Sequence, residues 1–226
     1  MIDPLSDEQI IDSWQTNAAP WTDAIRESRI ASRVLITNDA IIDAVMSRAP
    51  RTILDVGCGE GWLVRVLAQH GVQGTGVDVV PELVDRAQRA GGGTFRVVSY
   101  ESIAAGELHL RADVVVANFA LIGKDAVEGM MRRIPAMLEQ GGAFIVQTLH
   151  PVSACGDAPY EDGWRNGSWA GFGGEFSNPA PWYFRTLESW KNLFAECGFT
   201  VADIREPINR ETGMPASVIF IAEPAC

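Results

Sequence analysis

Residues 53–63 read Ile53-Leu54-Asp55-Val56-Gly57-Cys58-Gly59-Glu60-Gly61-Trp62-Leu63, an apolar run that enters a glycine-rich turn and continues as a helical pattern. The apolar run predicts a buried strand, and the three glycines let the backbone amides of the turn approach a ligand closely. Open α/β sheets bind ligands beyond the carboxyl ends of their parallel strands, which is where this turn lies. The stretch therefore predicts a nucleotide-like cofactor at a strand–turn–helix unit.

The same alternation continues on the carboxyl side of this unit. Apolar, β-branched runs alternate with helical stretches, which is typical of parallel βαβ units. The predicted strands are 52–56, 74–79, 94–98, 113–118, 143–149, 199–204 and 217–222, and the predicted helices are 61–70, 81–90, 124–139 and 187–197. This order predicts an α/β fold with a Rossmann-like, seven-stranded, mostly parallel sheet and helices on both faces.

The remaining segments are predicted to decorate a single domain that spans residues 1–226. Residues 1–50 carry helical periodicity up to a terminating proline, which predicts an N-terminal helical cap. Residues 51–150 form the predicted cofactor-binding half, and residues 186–226 a C-terminal helix with two strands. Between them, residues 151–185 form an insertion after the fifth strand. Irregular segments of such length are usually functional, so we interpret the insertion as a lid.

The composition restricts the partners of the chain. Its 18 Lys and Arg against 29 Asp and Glu leave a formal net charge of −11, whereas phosphate backbones are bound by clustered basic residues. No stretch approaches the roughly 18 consecutive apolar residues of a membrane span, and residues 1–8 lack the pattern of a secretory signal. We expect a cytoplasmic protein with a small-molecule substrate and neither a nucleic-acid nor a membrane partner.

A second acid supports the cofactor site and separates two cofactors. Asp78 ends the second predicted strand, 78 − 57 = 21 residues after Gly57, close to the spacing of the ribose-binding acid in dinucleotide folds. Trp62 stands where the dinucleotide fingerprint needs its third glycine, which opposes a nicotinamide cofactor. Asp55 would repel a pyrophosphate but suits a sulfonium cofactor with a free amino group. S-adenosylmethionine is therefore favoured, and a nicotinamide-dependent oxidoreductase is the weaker alternative.

From about Thr52 onward the chain resembles the class I S-adenosylmethionine-dependent methyltransferases, through the glycine turn and Asp78. Thr148-Leu149-His150-Pro151 and the aromatic insertion are similar to uncharacterised bacterial small-molecule methyltransferases related to ubiquinone-type methylases. The resemblance implies that the turn holds the methionine end of the cofactor, that Asp78 binds the ribose and that Val79 lies against the adenine. The cofactor-binding residues that it implies are Asp55, Gly57, Cys58, Gly59, Gly61, Asp78, Val79, Tyr100, Glu101, Asn118 and Phe119.

Two parts of this assignment lie after the third and fourth strands. Tyr100, with Glu101 beside it, stands where the family often has an acid near the adenine amino group. Asn118 and Phe119 stand where the family places groups near the amino end of the cofactor and the transferring methyl group. The motif of enzymes that methylate exocyclic amines of nucleobases or glutamine is absent, as is the acid pair that resembles a magnesium site. The resemblance thus implies a small-molecule acceptor and no metal.

His150, at the end of the fifth predicted strand, is the predicted catalytic residue. An imidazole has the near-neutral pKa that suits a general base for a hydroxyl group. In the competing interpretation, His150 caps the strand end or bonds the following turn. A non-catalytic S-adenosylmethionine-binding protein also stays open as an alternative, because methyl transfer has no obligatory catalytic side chain.

The aromatic and arginine residues outside the cofactor motifs each have two interpretations. The aromatic residues of the insertion either line an acceptor cavity or form a small satellite core. Exposed aromatic residues would also serve a contact between two copies, which leaves a homodimer open. Of Arg26, Arg29 and Arg33 in the cap, one could pair with the cofactor carboxylate, but three arginines on a solvated helix face are the ordinary explanation.

Overall fold

The computed structural model describes residues 5–172 and 175–225. Its strands are β1 (Thr52–Val56), β2 (Gln73–Asp78), β3 (Thr94–Val97), β4 (Ala112–Asn118), β5 (Leu138–Thr148), β6 (Gly163–Arg165), β7 (Trp182–Phe184), β8 (Phe199–Arg205) and β9 (Val218–Pro224). The central sheet has the order β3-β2-β1-β4-β5-β9-β8. The pairs among β1 to β5 are parallel, and β9 is antiparallel to both of its neighbours. The predicted seven-stranded, mostly parallel sheet is confirmed.

Helices cover both faces of this sheet. They are α1 (Asp7–Thr16), α2 (Ala18–Arg26), α3 (Asn38–Met46), α4 (Trp62–Gln69), α5 (Pro81–Ala90), α6 (Tyr100–Ala104), α7 (Asp125–Arg133), α8 (Pro151–Cys155) and α9 (Leu187–Glu196). Ile53 of β1 packs with α3, α4 and α5, whereas its neighbour Leu54 packs with α6, α7 and α9. Successive side chains of a strand point to opposite faces, so a strand covered on both faces reads as a continuous apolar run.

The helix predicted over residues 124–139 is shorter than expected. α7 ends at Arg133 and continues as a 3₁₀ turn over Ile134–Met137, and Leu138 already pairs with Ala112 as the first residue of β5. The cause is Pro135, which has no backbone N–H and whose ring clashes with the preceding helical turn. β5 therefore begins five residues before the predicted start at Ala143.

The N-terminal cap and the insertion are bonded to each other. The Asn17 side chain, between α1 and α2, donates from Nδ2 to the carbonyl oxygen of Ser177 at 2.7 Å and accepts from the amide of Ser177 at 3.0 Å. The Ser13 hydroxyl of α1 donates to the carbonyl oxygen of Asn178. The insertion contains α8 and the hairpin of β6 and β7, so it is less irregular than expected.

Asp7, at the start of α1, is the second attachment of the cap. Its two carboxylate oxygens accept hydrogen bonds from the amides of Lys124 and Ala126, each at 2.8 Å. These amides lie at the amino end of α7, where helix N–H groups have no partner within the helix. The cap is therefore bonded to the sheet domain as well as to the insertion. In the part of the chain described, no helix is both long and apolar enough to cross a membrane.

Candidate functional site

A cavity opens at the carboxyl ends of β1, β2 and β4. It encloses about 950 Å³, including space open to solvent, which is within the range of ligand sites. Nine of the eleven predicted cofactor residues line it, namely Gly57, Cys58, Gly59, Asp78, Val79, Tyr100, Glu101, Asn118 and Phe119. The structure thus brings together residues from four separate segments of the chain. Asp55 and Gly61 lie close by but are not part of the wall.

The glycine turn is held by backbone hydrogen bonds to β2. The amides of Gly57 and Cys58 both donate to the carbonyl oxygen of Val77, at 2.8 and 3.0 Å. Gly57 has a φ of +75°, the left-handed region that glycine favours. A Cβ atom at Gly57 would overlap the Cβ of Ala120 and lie 2.7 Å from the Tyr100 hydroxyl oxygen. Glycine is therefore required here both by the backbone conformation and by the approach of the β4 segment.

Gly61 does not line the cavity but packs closely against the sheet. It precedes α4 with a φ of +80°. A Cβ atom there would lie 2.6 Å from the ring of Phe95 in β3. Its glycine character lets the helix and the sheet approach each other, and its predicted role in cofactor binding stays a prediction.

Asp78 is fixed by the turn that it faces. Its Oδ2 accepts from the amide of Gly59 at 2.8 Å, and its Oδ1 accepts from the amide of Val80 at 2.9 Å. Burial raises the pKa of Asp78, and these backbone hydrogen bonds oppose the shift. A carboxylate has about four lone-pair sites, so both oxygens can still accept from a ligand hydroxyl. The position is the one predicted for the ribose-binding acid.

Asp55 lies beneath the turn and is 2% exposed. Its Oδ1 has no hydrogen-bond partner among the described residues. Burial, followed by the charge of Asp78, raises the pKa of Asp55 to about 7, while Arg33 opposes the rise. A buried carboxyl group without a full set of partners is costly, so a cationic ligand group beside the turn would relieve that cost.

Arg33 also lines this cavity. The sequence had favoured a position for it on a solvated helix face. Its side chain is 7% exposed. The guanidinium lies 4.8 Å from the ring centre of Trp62 and 5.6 Å from that of Trp21. Its Nε donates to Asn38 Oδ1 at 3.3 Å, and its Nη2 has no hydrogen-bond partner among the described residues. Arg33 is therefore a buried cation with a free donor at the cavity wall.

The local conformation explains how Arg33 reaches the interior. A π-helical turn over Arg33–Thr37 precedes α3, and such turns are frequent at functional sites. Burial lowers the pKa of Arg33 to about 10, opposed by the charges of Glu60 and Asp55, so the group stays charged at neutral pH. Arg33 follows Ile30 by three residues, and both side chains are buried. An i, i+3 spacing from an apolar residue is the sequence feature that could have indicated an inward Arg33.

Three buried polar atoms, two on residues of the cavity wall and one on Asp55 beneath the glycine turn, have no partner in the described residues: Asn118 Oδ1, Arg33 Nη2 and Asp55 Oδ1. Two are acceptors, and the third is a cationic donor. This set suits a zwitterionic amino acid group, whose ammonium would meet the acceptors and whose carboxylate would meet the guanidinium. The residues present therefore fit the methionine end of S-adenosylmethionine.

A second cavity adjoins the first and encloses about 1310 Å³, including space open to solvent. Both cavities are lined by Trp14, Trp21, Arg33, Phe119 and Ile122. Phe119 has a φ of +54°, unusual for a residue other than glycine, and its amide donates to the carbonyl oxygen of Gln147 at 2.8 Å. Much of the remaining wall is aromatic and comes from the insertion: Trp169, Phe172, Trp182, Tyr183 and Phe184.

His150 lies outside the walls of both cavities. It is 4% exposed, and its Nε2 lies 2.8 Å from Glu206 Oε1. Its carbonyl oxygen accepts from the amide of Ala154, in the first turn of α8. The side chain makes no capping hydrogen bond to α8, and the roles of cap and of general base both stay predictions. Among residues 5–172 and 175–225, no three His, Cys, Asp or Glu side chains are grouped to hold a metal ion.

Comparison with known proteins agrees with this geometry. A family model described as a methyltransferase domain matches residues 29–204. The chain belongs to this methyltransferase domain family. The resemblance predicted from the glycine turn is thereby confirmed. The match includes Arg33 and the π-helical turn of this methyltransferase domain, and it begins after α2.

Individual relatives are more distant. An uncharacterized methyltransferase of Mycobacterium tuberculosis (strain ATCC 25618 / H37Rv) is 30% identical over 132 residues, 58% of this chain and 62% of that protein. A ubiquinone biosynthesis O-methyltransferase of Chromobacterium violaceum is 30% identical over 149 residues, 64% of each chain. The methyltransferase domain therefore matches about three fifths of the length of these relatives. Magnesium protoporphyrin IX methyltransferase from Synechocystis PCC 6803, solved with bound S-adenosylmethionine, has the same fold, with a TM-score of 0.66 at 16% identity and coverage of 100% of this chain and 99% of that one.

Proposed function

We propose that this protein transfers a methyl group from S-adenosylmethionine to a small-molecule acceptor. The observation that carries the proposal is the set of unpartnered buried atoms on Asp55, Asn118 and Arg33 beside the glycine turn. These atoms would bind the amino acid group of the cofactor, and Asp78 would bind its ribose hydroxyls. Val79 and Tyr100 line the same cavity and would contact the adenine. The methyltransferase names of the relatives support this assignment.

When bound, S-adenosylmethionine supplies an activated methyl group on a sulfonium. The chain itself would contribute orientation and exclusion of water, because an in-line displacement on such a donor needs little else. Phe119 and Ile122 line both cavities and would separate the donor from the acceptor. The aromatic walls of the second cavity suit a flat, largely apolar acceptor. Under this proposal the insertion is the acceptor-binding part of the protein.

Isothermal titration of the purified protein with S-adenosylmethionine, S-adenosylhomocysteine and NADH tests the proposal. We expect micromolar binding of the first two and none of NADH, because a pyrophosphate would lie beside the carboxylates of Asp55 and Asp78. Binding of NADH alone would overturn the proposal.

Transfer of a radiolabelled methyl group to a panel of small acceptors then separates an enzyme from a non-catalytic binding protein. The cytoplasmic location, the absence of a nucleic-acid partner and the homodimer alternative stay predictions.

A further inference from the structure

Arginine and lysine side chains lie close to the aromatic rings in the wall of the second cavity, although the chain has a net charge of −11. A guanidinium or ammonium group lies within 6 Å of the centre of each of five wall rings, close enough for a cation–π contact. The pairs are Arg33 with Trp21 (5.6 Å), Lys124 with Tyr183 (5.4 Å), Arg165 with Trp182 (5.9 Å) and Phe184 (3.6 Å), and Arg185 with Tyr183 (4.7 Å) and Trp190 (5.2 Å).

These cations have few counter-charges. Arg185 is paired with Glu128 at 3.2 Å. Arg33 would pair with the cofactor carboxylate under the proposed function. In residues 5–172 and 175–225, neither Lys124 nor Arg165 has a carboxylate within 4.0 Å. The described wall of the second cavity contains neither Asp nor Glu. Arg33 and Arg185 belong to the wall itself, whereas Lys124 and Arg165 lie beside wall rings without being part of it. These charges would repel a cationic acceptor and attract an anionic one.

Among the described residues, the same wall contains no His, Cys, Asp, Glu or Lys side chain. Its described titratable residues are Arg33, Arg185 and Tyr183, and His150 is not among them. The carboxylates of Asp7, Asp78 and Glu101 line the adjoining cavity and not this one, and burial raises the pKa of the Cys58 thiol, which stays protonated. The acceptor must therefore bring its own unprotonated nucleophile.

A carboxylate meets this requirement and a simple phenol does not. Carboxyl groups have an ordinary pKa of about 4, and phenols one of about 10, so at pH 7 only about one phenol in a thousand is ionised. The aromatic wall requires a planar ring system, and the cations require negative charge. The two requirements together describe an aromatic carboxylic acid.

We propose that the acceptor is an aromatic carboxylate and that the product is its methyl ester, an inference that rests on the proposed methyl transfer. A carboxylate oxygen attacks the methyl carbon, so that an O–C bond forms with an electron pair of that oxygen. The C–S bond breaks and its electron pair stays on sulfur, which turns the sulfonium into a neutral thioether. The carboxylate becomes a neutral ester and no proton moves. The lack of a basic catalytic side chain among the described wall residues agrees with this chemistry.

Three naphthalene probes of nearly equal size test the charge preference. Protein saturated with S-adenosylhomocysteine is titrated with 2-naphthoate, 2-naphthol and 2-naphthylmethylammonium. We expect 2-naphthoate to bind at least about tenfold more tightly than the ammonium probe, and we expect only 2-naphthoate to be methylated when S-adenosylmethionine is supplied. Methylation of the naphthol or the amine would overturn the inference, as would equal binding of the three probes or binding of none.

A pair of lysine variants supplies the matched control. Lys124→Gln removes the ammonium beside Tyr183, and Lys191→Gln removes the exposed ammonium that pairs with Glu188 in α9. We expect Lys124→Gln to weaken 2-naphthoate binding about threefold and to leave 2-naphthol binding unchanged, because the ammonium is half-buried and solvent screens part of its charge. Lys191→Gln should change neither. Equal behaviour of the two variants would overturn the inference.

The two proposals fail in different ways. If S-adenosylhomocysteine does not bind, the proposed function is wrong. If it binds and the naphthoate is not preferred, only the inference about the acceptor is wrong.

Discussion

Glu60 of the glycine turn is bonded to Arg26 of the N-terminal cap, with Arg26 Nε donating to Glu60 Oε2 at 2.9 Å. Arg65 of α4 donates from Nη2 to both carboxylate oxygens at 2.6 Å. The Glu60 side chain has 0% exposure, whereas that of Arg26 has 43%. The cap is therefore bonded to the turn that lines the cofactor cavity. A ligand that orders the turn is expected to order the cap as well.

Glu60→Gln should lower the free energy of unfolding by about 2 kcal/mol. Removing one partner of a buried ion pair typically costs about 3–5 kcal/mol, and water reaches Arg26, which reduces the cost here. Urea unfolding followed by tryptophan fluorescence measures the change. Glu82→Gln, which breaks the exposed pair with Arg86 in α5, is the control and should cost less than about 0.5 kcal/mol. Equal losses in the two variants would show that the buried pair does not stabilise the fold.

Arg33→Met should weaken S-adenosylhomocysteine binding by about 10- to 150-fold, the equivalent of a lost hydrogen bond to a charged group. Binding of 5′-methylthioadenosine, which has no amino acid group, should not change. Arg29→Met is the matched control, because Arg29 is exposed and bonds Glu27. Isothermal titration of both variants with both ligands makes the test. If both ligands lost affinity equally, Arg33 would stabilise the cavity as a whole and would not bind the carboxylate of the cofactor.

The pKa of Asp55, raised to about 7 from 3.8, gives a pH-dependent stability of defined sign. Between those values the folded protein holds a proton that the unfolded chain has lost, so this carboxyl group stabilises the fold less as the pH rises. Asp55→Asn has no such proton. The stability of the wild type relative to Asp55→Asn should therefore fall by about 3 kcal/mol from pH 4 to pH 7 and then stay level.

Urea unfolding of both proteins at a series of pH values, without cofactor, measures this difference and cancels the titration of the other acids. A difference that rises with pH would mean that Asp55 is stabilised in its charged form. The interpretation that Asp55 is a buried carboxyl group that binds a cationic ligand group would then be wrong.

His150→Gln separates the two interpretations of His150. If the side chain only bonds Glu206, glutamine preserves a donor and kcat should stay within about twofold of the wild type. A general base would instead contribute about 10²- to 10⁴-fold. The measurement is the kcat of methyl transfer to an accepted substrate, together with the Tm of each protein. A loss of a hundredfold or more at unchanged Tm would restore the catalytic role.

Much of the cofactor site was predictable because its determinants are local. The turn needs glycine at Gly57 for its positive φ and its close contact with Ala120, and a strand buried on both faces is largely apolar. Asp78 follows from the same logic, since parallel strands end at a common edge. The end of α7 was mispredicted because apolar periodicity continues past Pro135, whereas the backbone of proline cannot.

The amino acid sequence by itself determined the sheet, the glycine turn and the acid that faces it, because periodicity and backbone conformation are properties of short segments. Only the tertiary structure decided that Arg33 turns inward, that Glu60 pairs with Arg26 and that His150 lies away from the cavities. It also placed Arg33, Lys124, Arg165 and Arg185 within 6 Å of the centres of aromatic rings that line the second cavity. These contacts join residues far apart in the chain, and burial, which depends on the whole packed molecule, sets whether a charge is solvated or functional.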